Sequence, residues 1–369
     1  MVGVMATREG DGPAGGHASP DKDPDKGPDK GPDKGPDKDP ALARALGPVG
    51  AAVAELRATA AVGDTEALGI HVAVSGGADS TCMLRILQLR AHGDGLRLSV
   101  GHVDHGLRTA SATEARAVAA MAGALGVPFR NTRLELEAGP GIPARAREAR
   151  RMALLEQAGD LGARWVALGH TAGDQIETVL MHLTRGAGLD GLAGMPRVDG
   201  PWFRPLLELT RTQTHGVCQR MGWAYVEDPT NEDDSHLRVR LRRRVVPILR
   251  DANPLVERAV VSLARQARDA DEALDEWVQR ERSRRRTMAG ELALGEFADL
   301  PRAVRFRLLR SVLAEAMPAG RELGARIVED IDRAILSDAN AGRGLTPRRW
   351  ALARGQWVEI RQNRLWVAK

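Results

Sequence analysis

The chain has 369 residues, 43% of them hydrophobic, which is enough for two or three domains with real cores but includes no uninterrupted apolar run of membrane-spanning length. Its two cysteines, Cys82 and Cys218, exclude a disulfide scaffold and form no Cys-x-x-Cys pair, which argues against a zinc ribbon, an iron–sulfur site or a thiolation relay and fits a reducing cytoplasm. The net charge of +4 and a pI near 9.4 come from arginine, whose planar fork suits phosphate and hints at a polyanionic partner, although an Arg-, Ala- and Gly-rich composition alone says nothing about binding.

Met1 to Gly10 lack the basic-then-apolar order of a signal peptide, so a cytoplasmic location is expected. Residues 1–45 are read as a disordered tail: from Pro20 a Pro-Asp-Lys repeat places proline every fourth residue and offers nothing apolar to bury. A helix is predicted over Pro48–Ala61, with Val49, Val53, Leu56 and Ala60 at helical spacing. Strands follow at Ile70–Val74, Leu96–Val103, Val127–Arg130 and Trp165–Leu168, alternating with helices at Ser80–Leu89, Ser111–Leu125 and Ala144–Gln157. Ser111 and Glu114 have the spacing of a capping box. That alternation predicts an α/β fold, an open parallel sheet with helices on both faces.

Ligands of such sheets sit beyond the carboxyl ends of the strands. The polar clusters fall there: Ser75, Gly76, Gly77, Ala78, Asp79 and Ser80 after the first strand, Asp104-His105 after the second, and His170 to Gln175 after the fourth. Strand, glycine turn and helix start together aim amides and a helix dipole at an anion, which points to a nucleotide phosphate. The string Ser-Gly-Gly-x-Asp-Ser lacks the Gly-Lys-Ser/Thr of ATPase P-loops and the Gly-x-Gly-x-x-Gly of dinucleotide folds. Asp174, near a helix start, also reads as a cap. Arg185 to Met195 reads as a mobile, glycine-rich loop able to approach a ligand.

Residues 75–80 resemble the pyrophosphate loop of N-type ATP pyrophosphatases, the PP-loop superfamily. The ordered set Val103–Arg108, Ala146-Arg147-x-x-Arg150, Asp174-Gln175-x-Glu177-Thr178, Arg185–Met195, Arg204–Leu207, Glu227–Asn231 and the Arg-rich Arg238–Arg242 then resembles the tRNA(Ile)-lysidine synthases. The resemblance runs from about residue 68 to 250 and more faintly to the C-terminus. It implies an adenine nucleotide α-hydrolase-like fold, with a PP-loop domain at 46–235, a basic helical linker at 236–290 and a small α+β, tRNA-binding domain at 291–369. It also implies ATP and Mg2+ as cofactors, with residues 75–80 as the ATP site and Asp79 on the metal side. The partners would be tRNA(Ile) with a CAU anticodon and free L-lysine, without a membrane, and a homodimer is an admissible assembly. The implied reaction adenylates C2 of the wobble cytidine and then joins lysine there to give lysidine, and the lysine amine, with an ordinary pKa near 10.4, must lose its proton to attack.

Asp79, Asp104, His105, Arg147, Arg150, His170 and Asp174 are the catalytic or charge-stabilising candidates. The chain departs from the family at Pro143, where Glu is usual, at Arg151 for Tyr, at Gly173 for Asp, and at Val239 for Asn. The segment 237–250 is predicted as a helix with Leu241, Val245 and Ile248 inward and Arg238, Arg242, Arg243 and Arg250 outward. Arg238, Arg240, Arg242 and Arg243 are its tRNA phosphate contacts, for which a solvated basic face is the ordinary alternative. A long helix is expected over 253–286 with Val256, Val260, Leu263, Ala267 and Leu274 on one face. Beyond it come helices at 302–316 and 324–336 and a hairpin of 356–360 with 364–367. Two other readings stay open: tRNA thiolation, which calls for paired cysteines, and a non-catalytic tRNA-binding paralogue, which Pro143 and Gly173 would suit.

Overall fold

A computed structural model describes residues 39–368, apart from 62, 64–65, 105–110, 135–140, 227–236, 288–290, 317–324 and 353–355. Residues 1–38 of the expected tail, His105, the Glu227–Asn231 motif and the acidic Glu232–Asp234 therefore lie outside the described residues, whereas 40–45, expected to belong to that tail, are helical. Helix α1 runs Pro40–Thr59, beginning at Pro40 rather than at the predicted Pro48. Leu42 and Ala45 extend the buried stripe of Val49, Val53 and Leu56, and that packing carries the helix through Pro48.

Strands β1 (Leu68–Ala73), β2 (Leu96–Asp104), β3 (Phe129–Arg133), β4 (Trp165–Ala167), β5 (Val198–Asp199) and β6 (Trp202–Phe203) form one sheet in the order β3-β2-β1-β4-β6-β5. Pairing is parallel except at the edge, where β5 runs antiparallel to β6. The expected all-parallel sheet thus gains an antiparallel edge hairpin, too short for the sequence pattern to reveal. Helices α2 (Ala78–Arg90), α3 (Ser111–Ala124) and α7 (Arg211–Arg220) join α1 over one face, where Ile70, Val72, Met83, Leu84, Val118 and Val217 share a core. Helix α4 (Ile142–Asp160) covers the other through Ala73, Leu154, Val166 and Trp202. Alternation along β1 sends His71 toward α4, within 2.8 Å of Ser99 Oγ and 3.0 Å of Gln157 Oε1. Gly101 makes room for it, since a Cβ there would lie 2.1 Å from His71 Nε2. His102 Nδ1 meets the Val74 carbonyl at 2.8 Å, one residue before the glycine turn.

Helix α5 (Ala172–Leu183) leads to α6 (Leu189–Leu192), a short helix in the segment expected to be a mobile loop. Gln175 exchanges hydrogen bonds with the Met195 backbone (3.1 and 2.9 Å), and Arg268 donates to the Ala193 and Met195 carbonyls at 2.5 and 2.9 Å. The glycines serve this packing: Gly194 has φ +59°, and a Cβ on it would strike Gln175.

The basic segment is α8 (Leu237–Arg240), one π-helical turn (Leu241–Val245) and α9 (Val246–Ala252). The π turn adds a residue to the repeat, so Leu241 and Val246 are buried and Ile248, expected inward, is 70% exposed. Helix α10 (Val256–Arg285) packs along α5 and α6 and then along α11 (Arg302–Ala316); Ala267 is buried as expected, but Leu263 faces outward at 45% exposure and Ala264 is buried in its place. Val278 of α10 joins a second core with α11, α12 (Ala325–Asn340) and a four-stranded antiparallel sheet of order β7-β10-β9-β8. Its strands are β7 (Leu292–Ala293), β8 (Arg348–Ala351), β9 (Trp357–Arg361) and β10 (Arg364–Ala368).

Candidate active site

The carboxyl ends of β1 and β4 open into a cavity of about 1460 Å3. Its lining includes Ser75, Gly77, Ala78, Asp79, Ser80, Arg147, Arg150, Arg151, His170, Asp174, Met195, Trp202, Arg204, Arg211, Tyr225 and Arg238. The turn after β1 needs glycine at Gly76, whose φ is +92°. Gly77 caps α2 without a side-chain hydrogen bond, leaving the first-turn amides of that helix for an anion. Ser80 Oγ braces the turn, accepting from Ser75 N at 3.2 Å and donating to the Gly77 carbonyl at 3.0 Å, while Val226 N closes on the Gly76 carbonyl at 2.9 Å.

Asp79 stands just inside α2. Thr214 Oγ1 donates to its Oδ1, and Arg211 Nε lies 3.6 Å from its Oδ2. Burial raises its pKa, and the negative charge of Asp174 pushes the same way, against Thr214 and Arg211. Asp174 ionises in the opposite sense. Its Oδ2 accepts from Thr171 N at 2.9 Å, completing the cap of α5, and its Oδ1 accepts from Arg238 at 2.9 Å with Arg211 3.7 Å away. Burial works against its charge, yet the Thr171 amide, Arg211, His170 and Arg238 together hold its pKa below the ordinary value.

Beside it, Glu177 is buried at 4% side-chain exposure and takes Arg238 Nε at 2.6 Å and Arg242 Nε at 2.5 Å. Two arginines read as outward phosphate contacts therefore turn inward and clasp α8 and the π turn onto α5. Two buried carboxylates outweigh solvation of the guanidinium groups, a pull invisible until α5 and α8 are adjacent. Arg240 and Arg243 are exposed, as expected of a basic face.

Opposite the carboxylates, Arg147 is exposed and Arg150 half-buried; burial and the charge of Arg147 lower the Arg150 pKa. Arg151 stacks 4.4 Å from the Trp202 ring. Burial lowers His170 to about 4, so its imidazole is neutral at neutral pH, and its Nδ1 is buried without a partner. Gly173 faces the buried Glu257: a Cβ would lie 3.5 Å from Glu257 Oε1, which Arg250 holds at 2.6 Å. An aspartate there would set two carboxylates together. Asp104 is buried at the end of β2 and is not among the cavity-lining residues. Cys82 and Cys218, distant in sequence, touch in the core between α2 and α7, where the hydrogen bond with Cys218 and burial keep the Cys82 thiol protonated.

The sequence reading missed Arg211 and Thr214. The one local signal was Thr210-x-x-Gln213, a capping box that fixes the start of α7, with Gln213 N donating to Thr210 Oγ1 at 3.2 Å.

Residues 51–249 match the PP-loop domain. Curated tRNA(Ile)-lysidine synthases align along most of the chain. That of Streptomyces coelicolor is 38% identical over 273 residues, 72% of this chain and 77% of its own length. That of Salinispora tropica is 41% identical, covering 70% and 77%. The chain belongs to the tRNA(Ile)-lysidine synthase family. The Bradyrhizobium diazoefficiens member is 39% identical over 75% of this chain and 81% of its own. Membership makes it a ligase-type, ATP-binding PP-loop enzyme of tRNA modification. In fold it is similar to the U34-tRNA thiolase NcsA from Methanococcus maripaludis, with a TM-score of 0.50 at 15% identity over 61% of this chain and 79% of that one.

Proposed function

We propose that this enzyme joins free L-lysine to C2 of the wobble cytidine of tRNA(Ile) bearing a CAU anticodon. The observation that carries the proposal is one cavity with two chemically distinct walls, a glycine turn and helix start on one side and Arg147, Arg150 and Arg151 on the other. In the first step the cytidine C2 oxygen attacks the α-phosphate of ATP; the α–β bridging P–O bond breaks and pyrophosphate leaves. In the second the ε-amine of lysine, after losing a proton, attacks C2; the C2–O bond breaks and AMP departs. Adenylation turns a carbonyl oxygen into a leaving group. The turn at 75–80 holds the pyrophosphate, and the arginine wall balances charge on the adenylate or on the lysine carboxylate. Neutral His170, with one unpartnered nitrogen, supplies a hydrogen-bond acceptor for the amine without adding charge.

Mg2+ fits as part of the nucleotide complex. Asp79 and Asp174 converge on Arg211, and this ion accepts one or two carboxylates when phosphates and water complete its shell. Among the described residues no group of three or more His, Cys, Asp or Glu could hold a metal alone. When bound, the ion would neutralise charge on the departing pyrophosphate.

The tRNA body would meet Arg240 and Arg243 and the outer face of the C-terminal sheet. There Arg349 stacks 3.7 Å from the Trp357 ring and Arg361 4.8 Å from that of Trp366, groups suited to RNA. We place the enzyme in the cytoplasm; no helix among the described residues is long and apolar enough to cross a membrane. The test is incubation with ATP, Mg2+, lysine and unmodified tRNA(Ile), followed by mass spectrometry of the anticodon loop. A lysine adduct on the wobble cytidine is expected, and its absence would refute the proposal.

A further inference from the structure

We infer that Arg211 is the resident counter-ion of the Asp79–Asp174 pair, that it competes with the divalent cation for those carboxylates, and that it moves onto the nucleotide phosphates when the cation takes its place. This rests on reading the cavity as a nucleotide site.

Helix stability does not explain where Arg211 sits. It is the first residue of α7, where the positive end of the helix dipole disfavours a cation, and the capping box of Thr210 and Gln213 already serves the helix end. Hydrogen bonding does not explain it either. Its Nε and Nη2 lie 3.6 Å from Asp79 and 3.7 Å from Asp174, ion-pair distances beyond a normal hydrogen bond, and its buried Nε has no hydrogen-bond partner. Each carboxylate has a closer donor, Thr214 for Asp79 and Arg238 for Asp174. What Arg211 contributes is charge.

The electrostatic balance of the cluster gives that charge a purpose. Three carboxylates, Asp79, Asp174 and Glu177, face three guanidinium groups, Arg211, Arg238 and Arg242. A divalent cation entering this balanced set leaves it with two uncompensated positive charges, whereas one arriving with a polyphosphate does not. Of the three arginines, Arg238 and Arg242 are fixed by short bonds to Glu177. Arg211 is the loosely held one, with its side chain 42% exposed, and it lines the same cavity as the glycine turn. Its planar fork suits a phosphate once the carboxylates are occupied. The arrangement makes metal binding weak without nucleotide and couples the two ligands.

The test is Mn2+ binding to the full-length protein without nucleotide, read from the electron paramagnetic resonance of free Mn2+. Arg211→Gln should bind Mn2+ roughly tenfold more tightly than wild type, the order of effect from removing one unit charge a few ångströms away at an intermediate dielectric. Arg211→Lys should stay within about twofold of wild type, because the charge remains, while its affinity for ATP with Mn2+ present falls with loss of the fork. Asp79→Asn should lose Mn2+ binding. Unchanged or weaker Mn2+ binding in Arg211→Gln, with circular dichroism showing a folded protein, would overturn the inference. If that variant does not fold, a severalfold change in Mn2+ affinity of Arg211→Lys would overturn it instead. Wild-type Mn2+ affinity in Asp79→Asn would count against the cavity as the cation and nucleotide site, a separate failure.

Discussion

The two rims of the cavity present one carboxylate each, and these are handled in opposite ways. On the β1 rim Asp79, its side chain 20% exposed, has one hydroxyl donor and a distant guanidinium, and is pushed toward protonation by burial. On the α5 rim Asp174 is buried, yet its cap amide and arginines hold it ionised. Donor count, rather than depth, decides the sign. A well-satisfied carboxylate is an anchor that binds the basic linker to the sheet, whereas an under-satisfied one is available to a ligand.

The largest effect should come from the under-satisfied rim. Asp79→Ala should lower tRNA-dependent pyrophosphate release by roughly 10²–10³-fold, the usual scale for losing one charge-positioning group. Because burial raises the folded-state pKa of Asp79, its ionised form costs stability at neutral pH. Asp79→Asn should therefore melt slightly higher than wild type while losing activity. A fall in melting temperature would move Asp79 into the anchor class.

On the α5 rim the order of effects reverses. Glu177→Gln removes the carboxylate that Arg238 and Arg242 share, leaving them only Asp174, and should cost about 2 kcal/mol in urea unfolding. This is below the ~3–5 kcal/mol of a fully buried pair, because both arginines keep more than a quarter of their surface exposed (28% and 29%). A loss under ~0.5 kcal/mol would show that the clasp is a surface pair.

Acid should separate the rims again. The folded-state pKa of His170, about 4, lies below its ordinary 6.5, so the contribution is fully present above pH 6.5. As pH falls from 6.5 toward 4 the unfolded chain takes up a proton that the folded site refuses, and stability declines. Asp174, held lower than an ordinary carboxylate, loses its contribution only below about pH 4. His170→Asn should make the first decline in pH-dependent unfolding shallower, the remainder coming from His71, which burial also holds below its ordinary pKa, and leave the second intact. The smallest effect is Thr210→Ala, which removes the cap of α7 and should cost about 1 kcal/mol by thermal melting.

What the sequence could reveal follows the range of the contacts. The glycine turn was legible because strand, turn and helix start are contiguous, and so were the helices whose buried stripes keep the 3.6 period. Arg211 and Thr214 were not, since Thr214 meets Asp79 across 135 residues and the capping box tells where α7 starts but not where its first side chain reaches. The inward turn of Arg238 and Arg242 has no local mark, because their partner Glu177 is 61 and 65 residues away. Ile248 was misplaced by a single π turn that shifts the buried face by one residue.

The central claim is that this cavity adenylates the oxygen of a base. It is tested most directly by 18O at the C2 carbonyl of the wobble cytidine, with ATP, Mg2+ and lysine added and the released AMP analysed by mass spectrometry. One 18O atom from the base is expected in each AMP formed with lysidine. AMP released without the label would contradict it.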